Sequence, residues 1–179
     1  MIIGLVGLHG CGKSHLSKIL EKEFGWINVN KRRLLEEMFS KNFSSSESQE
    51  SIDWYRHMYR SYGAPKIMEL ILEKIPRGTP VILDAIHNPR EWSIVKSTFH
   101  KSMLAGVFAP HAIRVKRNNP QDALLDIKRM KYWHDHDDES SECLMSEVEW
   151  VFNGVHSYEL QKSESKELMN YLKASKYLV

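Results

Sequence analysis

Apolar positions fall along the chain in two alternating rhythms. Ile2–Val6 is a short apolar run, as expected for a strand buried on both faces. After Lys13, the residues Leu16, Ile19, Leu20 and Phe24 recur at spacings of three and four, which marks one face of a helix, and Gly25 supplies a stop. Trp26–Val29 reads as a second strand and Lys31–Phe39 as a short helix. A longer helical stretch, from about Ile52 to Ile75, breaks near Gly63-Ala64-Pro65, and its second half sets Ile67, Leu70, Ile71 and Ile75 on one side. Pro80-Val81-Ile82-Leu83 is a third strand, and Asn88-Pro89 then starts a helix with Trp92, Val95 and Phe99 facing inward. Met103–Phe108 suits either strand or loop. His111–Arg117, with Ala112, Ile113 and Val115 apolar, predicts the fourth strand. Asn119-Pro120 opens a further helix carrying Leu124, Ile127 and Met130. His134–Ser141 is a polar loop; Leu144, Val148, Val151 and Phe152 then mark a helix closed by Gly154. Val155–Leu160 reads as the last strand, followed by a helix through Leu168 and Leu172.

Strands alternating with helices along the whole length predict an α/β fold: a parallel sheet with helices on both faces. Ligands of such sheets bind beyond the carboxyl ends of the strands. The segment Ser44–Ser51 is serine-rich and reads as a mobile, solvated loop.

Composition narrows the class. The chain has 179 residues, which suits one domain over 1–179. Its 25 Lys and Arg nearly balance 23 Asp and Glu, too evenly for a protein that grips duplex nucleic acid by charge. Two cysteines, Cys11 and Cys143, exclude a disulfide scaffold and suit a reducing compartment. No apolar run approaches the ~20 residues a membrane span requires. The start of the chain shows no basic leader or cleavage site, so a cytoplasmic location is expected.

The chemistry enters at Gly7-Leu8-His9-Gly10-Cys11-Gly12-Lys13-Ser14, the pattern G-x-x-x-x-G-K-[ST] between a strand and a helix. Glycines let successive backbone N–H groups converge on a phosphate, and the helix adds its positive end. Lys13 carries a full charge to the outer phosphates, and the Ser14 hydroxyl is a ligand for Mg²⁺. Gly7 through His15 are the candidate contacts to ATP. Leu8, His9 and Cys11 fill variable positions and receive no catalytic role. Asp84 follows Val81-Ile82-Leu83 at a strand's carboxyl end, where a carboxylate can hold Mg²⁺ through water or take a proton from an acceptor hydroxyl.

These residues resemble the small P-loop kinases of the adenylate kinase and dephospho-CoA kinase type. Within that group the chain is most similar to uncharacterised archaeal adenylate-kinase-like proteins. The resemblance is strong at Gly7–Ser14 and fair at Val81–Asp84. It implies a five-stranded parallel sheet in the order 2-3-1-4-5, an acceptor-binding helical segment (31–75) and a lid (118–142). It also implies ATP- and Mg²⁺-dependent transfer to a small phosphate-bearing acceptor, such as a nucleoside monophosphate. Arg33 and Arg90 are the candidates for the acceptor phosphate. Arg129, backed by Lys128 and Lys131, is the candidate for the transferring group. The chain departs from the pattern at Ala85, where the group has Gly, at His87, where an Arg is usual, and at Asn30-Lys31-Arg32-Arg33, where an Asp often precedes the arginine.

Asp84-Ala85-Ile86-His87-Asn88 together with Asn30–Arg33 also resembles polynucleotide-kinase-type enzymes. That resemblance implies a 5′-hydroxyl acceptor, of a polynucleotide or a nucleoside, but Lys31 stands near where its general base would be. A nucleotide-hydrolysing switch with a protein partner is a third reading. His134-Asp135-His136-Asp137-Asp138 matches no standard zinc spacing and reads as a hydrated acidic loop. Trp54, Tyr55, Tyr59 and Tyr62 can stack on an acceptor base, although aromatics at helical spacing are more often core. Arg56 and Arg60 either pair with phosphate or face water.

Overall fold

A computed structural model describes residues 1–44, 48–117, 144–175 and 177. Its elements are β1 (Ile2–Val6), α1 (Lys13–Phe24), β2 (Ile27–Asn30), α2 (Lys31–Met38), α3 (Gln49–Tyr62), α4 (Ala64–Glu73), β3 (Val81–Asp84), α5 (Pro89–Thr98), β4 (Ser102–Phe108), α6 (His111–Arg117), β5 (Trp150–Asn153) and α7 (Tyr158–Ala174). The five strands form one parallel sheet in the order β2-β3-β1-β4-β5. This is the order the kinase resemblance implies.

All of β1 is buried, and at about 1.5–3 kcal/mol for each large apolar side chain it anchors the sheet. Beneath one face, Ile67, Met68, Ile71 and Leu72 of α4 and Trp92 and Val95 of α5 pack on Ile2, Leu83 and Leu104. On the other, Leu16 and Leu20 of α1 and Leu168, Met169 and Leu172 of α7 pack on Ile3, Leu5, Ile82 and Phe152. Among the described residues, no helix is long and apolar enough to cross a membrane.

Three expectations are corrected. His111–Arg117 is not a strand but the helix α6: the Pro110 carbonyl accepts from the amides of Ile113 and Arg114 at 3.0 Å each and starts it. The fourth strand is Ser102–Phe108, whose core residues 103–107 are buried, as a strand covered on both sides needs. Val151 and Phe152 do not continue a helix to Gly154. Residues 144–145 are helical, 146–147 turn, and the chain then pairs with β4 through Ala105↔Trp150 and Phe108↔Asn153. Val155–Leu160, expected as the last strand, is the turn after β5 and the start of α7, whose Leu160 amide is capped by the Ser157 hydroxyl. The serine-rich segment also departs from expectation. Ser48 caps α3, and Ser51 is fully buried, its hydroxyl donating to the carboxylate of Glu36. Residues 45–47 lie outside the described residues.

Candidate functional site

The loop between β1 and α1 lies at the carboxyl edge of the sheet's central strand. Gly12 caps α1 with φ 109°, a left-handed conformation that disfavours side chains, and its carbonyl accepts from the amides of His15 and Leu16. The chain can therefore turn into the helix with the first amides of α1 directed at the loop. The Lys13 ammonium folds back over the loop's entry. It donates to the carbonyls of Gly7 at 2.7 Å and Leu8 at 3.1 Å and lies 3.7 Å from Cys11 Sγ. Cys11 is buried beneath the loop, which suits a packing residue. Leu8 is exposed at the loop's tip, and His15 is exposed with its ring against the edge of Tyr158 at 6.2 Å.

Asp84 terminates β3, in register with Leu5 of β1 on one side and Asn30 of β2 on the other. The Ser14 hydroxyl donates to Asp84 Oδ2 at 3.1 Å. Two hard oxygen donors thus meet at the first turn of α1. That donor set fits Mg²⁺, which keeps several waters and shares its remaining positions between few protein oxygens and substrate phosphates. It does not resemble a protein-only metal cage, and no group of three or more His, Cys, Asp or Glu able to hold a metal occurs among the described residues.

Two arginines that the sequence reading passed over brace the loop from α6. Arg114, largely buried, donates from Nη1 to the His9 carbonyl at 3.2 Å. Arg117 donates to the carbonyls of Gly10 at 3.3 Å and Gly154 at 2.8 Å. Read as a strand, residues 114 and 117 point to opposite faces; on a helix, a spacing of three puts them on the same one. The usable signal was Pro110, a helix-starting residue, ahead of Arg-x-x-Arg.

The segment expected to bind the acceptor is organised around a buried carboxylate. Glu91, at the start of α5, is fully buried, and its Oε1 accepts from Lys31 Nζ at 2.7 Å and from the Tyr59 hydroxyl at 2.7 Å. Its Oε2 accepts from the His87 amide at 2.6 Å. Burial pulls Lys31 below the usual lysine range, partly countered by the carboxylates of Glu91 and Asp84. Burial and the Glu91 charge push the Tyr59 hydroxyl well above the usual tyrosine range.

The candidate acceptor arginines sit at the surface. Arg33 is 75% exposed and pairs with Glu37 at 3.1 Å along α2. Arg90 is exposed in the first turn of α5. Trp54, Tyr55 and Tyr59 pack against the core, while Tyr62 is half exposed. Arg32 stacks 5.8 Å from the Tyr55 ring centre, and Arg56 pairs with Asp53. Lys128, Arg129, Lys131 and the acidic stretch His134–Asp138 lie outside the described residues.

No known family profile matches the chain. It is 28% identical over 134 residues to a UPF0200 protein of Sulfurisphaera tokodaii, covering 73% of each chain. Among solved structures it superimposes on a shikimate kinase from Acinetobacter baumannii in complex with shikimate, with a TM-score of 0.61 at 11% identity, over 98% of this chain and 94% of that one. A gluconokinase from Sinorhizobium meliloti 1021 matches with a TM-score of 0.56 at 9% identity, again over 98% and 94%. The fold is that of the P-loop small-molecule kinases.

Proposed function

We propose that the protein is a P-loop phosphotransferase that uses ATP and Mg²⁺ to phosphorylate a small phosphate-bearing acceptor, with a nucleoside monophosphate as the leading candidate. The observation that carries the reading is the 3.1 Å contact between the Ser14 hydroxyl and the Asp84 carboxylate beside the Lys13 loop. In this reading Gly7 through His15 wrap the triphosphate, and Lys13 meets its outer oxygens. Ser14 and Asp84 hold the metal, which when bound neutralises charge on the phosphates. Arg33 and Arg90 serve the acceptor phosphate, and Arg129 serves the transferring group. Arg114 and Arg117 keep the loop carbonyls turned outward, so that its amides face the ligand.

Proton accounting supports a phosphate-bearing acceptor. Transfer to a hydroxyl must shed a proton to a base, whereas a phosphate oxygen attacks already ionised. Strand β2 ends in an amide, Asn30, whose side chain is occupied in accepting from the Arg33 amide. Glu91 already accepts from three donors. Asp84 is committed in this reading to the metal it shares with Ser14. An acceptor that needs no base fits this arrangement. A hydroxyl acceptor is the second reading, favoured by the likeness to a kinase solved with shikimate; there Asp84 takes the proton.

The test incubates the protein with Mg²⁺ and ATP plus AMP, CMP, GMP or UMP, and in parallel with the four nucleosides and shikimate, following ADP release and the phosphorylated product. Transfer to a monophosphate is the expected result. Product from the hydroxyl compounds alone moves the assignment to the second reading. ADP release equal with and without acceptors supports a hydrolysing switch. A melting temperature that saturating Mg·ATP does not raise rules out triphosphate binding altogether.

A further inference from the structure

We infer that Lys31 is a positioning residue for the acceptor half of the site: through Glu91 it pins α2 and α3 to the loop that follows Asp84. The inference rests on the acceptor reading of residues 31–75.

The two oxygens of one carboxylate hold three separate stretches of chain. Oε1 takes Lys31, the first residue of α2, and Tyr59, in the second half of α3. Oε2 takes the amide of His87, three residues beyond Asp84. Glu91 is itself oriented by the Asn88 side chain, which accepts from the Glu91 amide at 2.9 Å. The Lys31 ammonium also lies 5.7 Å from the Tyr59 ring centre, and the Tyr55 ring packs tilted against Tyr59 with centres 4.8 Å apart, with Arg32 beyond it. The ladder therefore runs from the edge of the metal site into the helices assigned to the acceptor.

Stability alone does not account for this pair. The Lys31 and Glu91 side chains are 2% and 0% exposed, and desolvating two charges offsets much of their attraction. Well-packed apolar residues often serve as well or better in such places. The pair does supply direction: a charge-assisted hydrogen bond fixes the approach of its partners, which an apolar contact does not. Lys31 directly follows Asn30, which is in register with Asp84, so a shift at Lys31 is carried to the strand end that faces the metal site. Helices held this way keep the acceptor surface formed before a ligand arrives.

The experiment compares the parent with Lys31→Met/Glu91→Leu, which exchanges the pair for apolar side chains, and with Tyr59→Phe, which removes one donor and leaves the ion pair. Hydrogen–deuterium exchange is read over 31–38 and 49–62, binding of Mg·ADP by a fluorescent ADP analogue, and KM and kcat with AMP, CMP, GMP and UMP. The double variant is expected to exchange about tenfold faster in both segments while Mg·ADP binding stays within about twofold. The KM for the accepted monophosphate is expected to rise about tenfold, with kcat falling less than about threefold. Tyr59→Phe is expected to show the same pattern more weakly, with faster exchange in 49–62, and if the double variant does not fold, Lys31→Arg, which keeps the charge but not the fit to Glu91, decides the matter by the same readouts. Unchanged exchange in α2 and α3, or Mg·ADP binding that weakens in step with exchange, overturns the inference. If the parent phosphorylates no monophosphate, the acceptor reading falls, and exchange against Mg·ADP binding still decides the role of Lys31.

Discussion

Lys13→Ala is expected to abolish phosphoryl transfer and leave the fold standing. The two consequences differ in size. On the stability side, the variant loses two hydrogen bonds to the carbonyls of Gly7 and Leu8, each worth about 1 kcal/mol net, in a partly solvated loop where water can replace the donor. A fold with about 5–15 kcal/mol in hand tolerates that loss, and the melting temperature should fall by only a few degrees. On the chemical side, the variant loses the full charge assigned to the outer phosphates. Removing one fixed donor from a developing anion costs roughly 10²–10³ in rate, and a desolvated ammonium supplies more than a neutral donor. Turnover should therefore drop by about 10³ or more, measured as ADP release under saturating Mg·ATP. Lys13→Arg should fail to restore it, because a planar guanidinium does not fit a space shaped for a compact ammonium. A folded Lys13→Ala protein with parental turnover would remove the loop from the chemistry.

The legibility of the site in the sequence divides along a physical line. The stretch from Ile2 to Phe24 was readable because strand, loop and helix are each encoded locally: an apolar run, the G-x-x-x-x-G-K-S spacing and a stripe at three and four residues. The later strands were not. Residues 111–117 alternate over only a few positions, and two cations in that window, Arg114 and Arg117, stand at a helical spacing. Residues 103–107 looked ambiguous because a strand buried on both faces shows no alternation. The fold order nevertheless came through, since the kinase resemblance set the topology independently of which segment filled each place. Lys31 and Ser51 show a deeper limit. Each reads as a surface residue, and each is buried because a carboxylate elsewhere receives it: Glu91 lies 60 residues from Lys31 and Glu36 lies 15 from Ser51. Local pattern carries no information about such partners. Arg114 and Arg117 were lost for the same reason, as their acceptors His9 and Gly10 lie 105 and 107 residues away.

Gly154→Ala is expected to damage nucleotide binding from behind the loop. A Cβ at this position would stand 1.7 Å from the Cys11 carbonyl oxygen, 2.9 Å from its carbon and 3.0 Å from the Phe108 carbonyl oxygen. All three are backbone atoms, so no side chain can rotate away. Either the phosphate loop or the turn after β5 must move. The turn is the better held. The Gly154 amide donates to the Phe108 carbonyl at 2.7 Å, its own carbonyl accepts from Arg117 at 2.8 Å, and the Phe108↔Asn153 pairing of β4 with β5 directly precedes it. The backbone at Cys11 is held by a longer turn contact, its amide to the Leu8 carbonyl at 3.3 Å, and otherwise by side chains, those of Lys13, Arg114 and Arg117, which can follow a moving backbone. The loop should therefore yield. Overpacking of this kind costs about 1–3 kcal/mol in stability, a fall of several degrees in melting temperature. Affinity for Mg·ADP should drop by more than about tenfold, because amides displaced by even half an ångström no longer converge on a phosphate. The two readouts separate the alternatives. Lower stability with parental affinity places the movement in the turn, and loss of both places it in the loop that Lys13 completes.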